Sequence, residues 1–165
     1  MVKSLFLTVV LLAAIPAIAA DQPSVRVQPP ALHVPRQLQD QTAKAVVQDY
    51  LDCWQSMSHA LDQNRPDLLD RDFIGTARER LAATIKQQSS AGLRTVYQDK
   101  SHDVQILFYS PEGLSIQLAD TVDYDVQLFD HDKSLGTQHI HTRYIVVLTP
   151  SEVRWRVRIF QAQAQ

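Results

Sequence analysis

Hydrophobic positions along the chain follow two periods, and the change between them divides it. From Leu38, apolar side chains recur at Ala43, Val46/Val47, Tyr50/Leu51, Trp54, Met57 and Leu61. That is the 3.6-residue spacing of an amphipathic helix with one buried stripe. Asn64-Arg65-Pro66 ends it, and Pro66 opens a short turn through Leu68 and Leu69. Phe73, Ala77, Leu81 and Ile85 mark a second helix that begins near Gly75-Thr76. It closes at Ser89-Ser90-Ala91-Gly92, where glycine suits the left-handed residue that ends many helices.

From Leu93 the period becomes two. Val104, Ile106 and Phe108 alternate with polar residues, and Leu114, Ile116, Leu118, Val122, Tyr124, Val126 and Leu128 keep the even positions. Ile140, Tyr144, Val146 and Leu148 continue the pattern, while Val153, Trp155, Val157 and Ile159 take odd positions. These segments read as four strands, each with one apolar face. They are joined at Ser110-Pro111-Glu112-Gly113, at the polar stretch 130–136 and at Thr149-Pro150-Ser151-Glu152, all with turn chemistry. Only the two helices can bury that face. The expected fold is α+β: N-terminal helices packed on a curved, four-stranded antiparallel meander sheet.

The chain's beginning has a different character. Lys3 precedes an apolar run from Leu5 to Ile15, and Ala17-Ile18-Ala19-Ala20 offers small residues to a signal peptidase. The run is shorter than the roughly 20 residues that span a bilayer. Residues 1–20 are therefore expected to be a cleaved signal peptide that leaves no transmembrane anchor. The expected location is periplasmic or secreted. Residues 21–37 hold Pro23, Pro29, Pro30 and Pro35 and read as a stiff, extended leader. Residues 38–165 are of single-domain size.

Composition narrows the functions. The single cysteine, Cys53, excludes an internal disulfide framework and a multi-cysteine zinc site. It reads as a small buried side chain beside Trp54. Four glycines, none clustered, exclude a glycine-rich phosphate cradle. The formal charge of −2 falls to −3 once Lys3 leaves with the signal, which argues against a nucleic-acid surface. No cofactor is implied.

Strand register singles out candidate chemistry. With a bulged first turn, Val104 faces Asp120 and His102 faces Val122, so His102 and Asp120 are diagonal neighbours about 7 Å apart. Asp120 is the one charge on the even face from Leu114 to Leu128. With the second hairpin centred on Lys133, Val122 faces Tyr144. An acid/base site would use Asp120, its proton partner His102, and Tyr144 or Tyr50 as hydrogen-bond donor. The structural alternative is an Asp120–His102 pair at the mouth of an unused cavity, since buried acids are rare unless paired. A ligand pocket between helices and sheet would be lined by Tyr50, Trp54, Asp120, Tyr124, Tyr144 and Trp155.

His139 and His141 lie on one strand face and could hold zinc with Asp125 and His131. The same register places Gln127 against His139, Asp125 against His141 and Asp123 against Arg143. Charge pairing across a ladder is reason enough for these residues, so no metal site is assigned. Arg154, Arg156 and Arg158 alternate on the last strand. With Arg143, Asp123 and Asp125 they make a charged outer face that could dock a second copy.

In its element order the chain resembles the nuclear transport factor 2-like (cystatin-like α+β cone) superfamily. The resemblance rests on Tyr50-Leu51-x-x-Trp54 in the long helix, on Leu68-Leu69-Asp70, and on Trp155-Arg156-Val157 after a Tyr144-bearing strand. It covers most of residues 38 to 161. That superfamily holds isomerases, cyclases and dehydratases as well as non-catalytic binding and scaffold domains, so fold does not decide function. Enzymes of its ketosteroid isomerase and polyketide cyclase branches usually carry an acidic, aromatic-rich strand pair soon after the second helix, and the sequence shows a basic, Gln-rich helix over Thr76 to Ser90 instead. The resemblance thus implies the non-catalytic branch, like domains of translocation and division proteins. The expected function is an exported binding or protein-interaction domain, taking a protein partner or an apolar small molecule. The alternative is a small isomerase, cyclase or hydrolase using Asp120 with His102.

Overall fold

The computed structural model describes residues 22–31 and 37–163, so the expected signal peptide, residue 21, positions 32–36 and the last two residues lie outside the described residues. Strand β1 (Ser24–Val27) comes first, then helix α1 (Asp40–Asp62), a 3-10 turn (Pro66–Leu69) and helix α2 (Gly75–Ser90). Strands β2 (Leu93–Tyr109), β3 (Ile116–Asp130), β4 (Lys133–Pro150) and β5 (Trp155–Ala162) follow. They form one curved sheet in the order β1-β2-β3-β4-β5.

The helices lie where periodicity puts them. On α1 the buried stripe is Val46, Val47, Tyr50, Cys53, Trp54, Met57, Ala60 and Leu61. On α2 it is Ala77, Ala82 and Ile85, and Gly92 follows the helix with φ 71°. The even face of the sheet is the core face. Val104, Ile106, Ile116, Leu118, Val122, Tyr124, Val146 and Leu148 are all buried against the helices.

The sheet has five strands rather than four. The extra one comes from the leader, where Ser24–Val27 run parallel to Ser101–Val104 of β2. Its four residues lie between Pro23 and Pro29. Proline cannot donate to a ladder, which confines such a segment to a short sheet edge. The pairing continues past the strand, since the Gln28 N–H donates to the Val104 carbonyl at 2.8 Å and that of Ala31 to Ile106 at 3.0 Å.

Bulges account for the other departures from the sequence reading. Val104 faces Asp120 and His102 faces Val122, as expected. The first turn is wider than expected, however: the Ser110 N–H bonds Ser115, and Leu114 is exposed. The second hairpin is shifted by two residues from a turn centred on Lys133. Asp130 pairs with Lys133 across His131-Asp132, with His131 at φ 54°. Tyr144 therefore faces Asp120 rather than Val122, His141 faces Asp123, His139 faces Asp125, and Arg143 faces Thr121. On β5, a bulge at Arg158 separates the Val147–Ile159 pair from Leu148–Val157. Phe160 thereby moves onto the core side, and Ile159 is 42% exposed. Val153 precedes the strand in a turn and is 87% exposed.

A strand pair carrying acids and aromatics does follow α2 directly, contrary to the sequence reading. Tyr97 and Asp99 of β2 lie beside Tyr124 of β3, with Asp120 further along that strand. The absence of such a pair cannot separate this chain from the catalytic branches.

Candidate functional site

The buried acid on β3 gathers two partners from other elements. Asp120 is 0% and His102 1% exposed. His102 Nδ1 lies 2.7 Å from Asp120 Oδ2, and the Tyr50 hydroxyl of α1 donates to the same oxygen at 2.8 Å. Asp120 Oδ1 is buried without a hydrogen-bond partner. Two hydrogen-bonding partners thus converge on one buried carboxyl oxygen, which offsets the cost of burying it.

Asp99 completes the group. Its carboxylate lies 3.9 Å from His102 Nε2, and its Oδ1 is buried and unpartnered. Burial pushes His102 down, but hydrogen bonds and charge from Asp120 and Asp99 outweigh it and raise its pKa to about 9. Burial, and then the charge of Asp120, holds the Tyr50 hydroxyl well above its ordinary range.

An aromatic cluster walls this group in. The Trp54 ring centre lies 5.1 Å from that of His102 and 5.5 Å from each of Tyr124, Tyr144 and Phe160. Tyr144 stacks on Phe160 at 4.5 Å and shares a 3.0 Å hydroxyl contact with Tyr124. Burial raises both phenols, Tyr144 the more strongly. Of the six expected pocket residues, Tyr50, Trp54, Asp120, Tyr124 and Tyr144 converge here. Trp155 sits elsewhere, at the opposite end of the β4–β5 ladder from Tyr144.

Sequence reasoning missed Asp99, Tyr97 and Phe160. A bulge at Lys100 brings odd-numbered Asp99 and Tyr97 onto the core face, and the Arg158 bulge does the same for Phe160. Period alone carries no signal for an inserted residue.

A second buried acid, also missed, ties β5 to the helices. Asp72 accepts from Arg154 at 2.6 Å, from Arg71 at 3.2 Å and from Ser56. Its carbonyl receives the Val157 N–H at 2.8 Å, and Asp49 receives that of Trp155 at 2.8 Å. Arg156 bonds the Asp70 carbonyl at 2.5 Å. Arg154 and Arg156 are thus spent inside the molecule rather than on a free outer face.

The outer face is laced by ion pairs. His139 Nδ1 lies 2.9 Å from Asp125, and His141 Nδ1 lies 2.7 Å from Asp123. Lys100 reaches Asp125 at 3.4 Å. Hydrogen bonds from His141 and His139 hold Asp123 and Asp125, respectively, below the usual carboxylate range. Among the described residues, no three potential ligands are grouped to hold a metal ion.

One concave feature borders the buried group. Val25 and Val27 lie beside His102 and Val104 on the core side of the sheet, yet are 43% and 54% exposed. They form one wall of a cleft of about 610 Å³, with Ala43, Val47 and Leu51 of α1 on the other. A smaller cleft, about 220 Å³, is bordered by Pro23, Gln55, Asp99 and His102. Val25, Gln48 and Leu51 line both, so they form one trough.

No family pattern and no curated protein matches the sequence. Solved structures do share the fold. The intermembrane space region of the chloroplast protein ARC6 superposes with a TM-score of 0.62 at 14% identity, covering 79% of this chain and 100% of that one. A scytalone dehydratase-like protein from Novosphingobium aromaticivorans gives 0.52 at 13% identity, covering 76% and 89%. A Kribbella flavida protein gives 0.52 at 11%, covering 73% and 91%. The architecture is the nuclear transport factor 2-like α+β cone. That cone serves binding domains and enzymes alike. Among the described residues, no helix is long and apolar enough to cross a membrane.

Proposed function

We propose that the chain is an exported, non-catalytic binding domain that takes an apolar small molecule, or an apolar segment of a protein partner, in the trough between β1 and α1. The observation that carries the reading is a contrast of exposure. The Asp120–His102 pair is buried beside Tyr50 and Trp54, whereas core-side valines of β1 stand open to solvent. A general base must come within about 3 Å of the proton it takes. Contiguous exposed apolar surface in a concave setting marks binding sites. The signal-like sequence of residues 1–20 supports export, as does the intermembrane-space setting of the ARC6 region. Export would place the domain in the periplasm or outside the cell. Titration of the ¹⁵N-labelled protein with octanol tests the site. Shifts at Val25, Val27, Ala43, Val47 and Leu51 support the reading, and shifts confined to Tyr50, Trp54 and Tyr144 overturn it.

A second reading has one observation in its favour. Asp120 Oδ1 lacks a partner, and a substrate donor would fill that place in an isomerase, cyclase or hydrolase using Asp120 with His102. Docking of a second copy on the outer sheet face is the weaker proposal for a partner, because its charges are already paired with one another.

A further inference from the structure

The trough is not uniformly apolar, and its two ends differ in sign. Val25, Val47 and Leu51 line the middle. At the end under Pro23 lie Asp99 and His102, and two carboxyl groups, Asp99 and Asp120, share that one imidazole. Whatever form His102 takes, acid is in excess there. Asp99 Oδ1 is buried and unpartnered, although a buried acceptor ordinarily finds a donor. The other end carries Lys44, which is exposed.

We propose that the trough binds small amphiphiles bearing an ammonium head, which donates to Asp99 while the apolar tail lies along Val25, Leu51 and Val47. The inference rests on the trough being the binding site, and it adds the class of ligand. Magnitudes decide the polarity. Asp99 is partly desolvated, so a charge-assisted bond to it is stronger than a neutral one. Lys44 is in water, where attraction for an anionic head is screened. Lys44 also repels an ammonium, which fixes the direction of the tail. The Gln48 and Gln55 side chains border the Asp99 compartment and supply further hydrogen-bonding capacity.

The test compares octylammonium, octanol and octanoate by calorimetry and by amide shifts on the full mature chain. Octylammonium is expected to bind about tenfold more tightly than octanol, with octanoate no tighter than octanol. In Asp99→Asn the preference should shrink to within about twofold. Val25→Lys, at an exposed position that cannot unfold the core, places a rival cation in the trough and should abolish octylammonium binding. Equal affinity for all three probes, with shifts along the trough, overturns the ammonium preference but leaves the apolar site standing. Failure of all three to shift trough residues overturns both. Preference for octanoate, lost in Lys44→Ala, reverses the polarity and also overturns the inference.

Discussion

Tyr50, in the middle of α1, donates its hydroxyl to Asp120 of β3 over 2.8 Å, at a depth where neither side chain is exposed. This bond, with His102 on the same oxygen, ties the long helix to the central strand pair. Its physical role follows from what removal would leave behind. Asp120→Ala would strand a buried imidazole and phenol without an acceptor. Loss of one member of a buried pair costs about 3–5 kcal/mol. Asp123→Ala, on the outer face, removes a surface pairing with His141 and should cost about 1 kcal/mol or less. Urea unfolding of the two variants measures the contrast.

The same group gives stability a pH dependence of definite sign. His102 has its pKa raised from 6.5 to about 9 by Asp120 and Asp99 against the opposing effect of burial. Its stabilisation is therefore fully present below pH 6.5 and is lost as pH rises toward 9. Tyr97, raised by burial to about 12, and Tyr50, also raised by burial and by Asp120, extend the loss above pH 10. Denaturation midpoints measured from pH 6 to 10 should fall steadily across that window. A rise would contradict the pairing.

Cys53 should be inert. Burial, reinforced by Asp72 and Asp49, pushes its thiol far up, and its Sγ–H points to the Asp49 carbonyl at 3.0 Å. Since the thiolate is the reactive form, a disulfide reagent should leave native protein unlabelled and label it only on unfolding. Rapid native labelling would show that α1 opens locally.

Gly92 occupies the left-handed region at φ 71°, where an added Cβ would also meet the His131 ring at 3.2 Å. Gly92→Ala is expected to destabilise by about 1–2 kcal/mol. Thermal unfolding compares it with Ala91→Gly, beside it but outside the constraint.

How much of this was legible in the sequence follows the locality of each signal. Periodicity located both helices and the core face, and turn chemistry paired Val104 with Asp120. The convergence of Tyr50, Trp54, Asp120 and Tyr124 follows from those two facts. Features set by a single inserted residue were not legible. Lys100 brings Asp99 inward, Arg158 does so for Phe160, and the His131-Asp132 turn moves Tyr144 opposite Asp120. Nor was β1, because a parallel pairing between residue 24 and residue 101 leaves no local pattern. The trough exists only because of that strand, so the sequence, which suggested a ligand pocket between helices and sheet, carried no sign of it.

Carbethoxylation of the folded protein, read residue by residue by mass spectrometry, most directly asks whether the Asp120–His102 centre is closed to small molecules. Exposed His131 and His139 should react freely while His102 stays unmodified until the chain unfolds. Modification of native His102 at a rate near that of His131 would mean the core group is open to solutes, and the catalytic reading would displace the binding one.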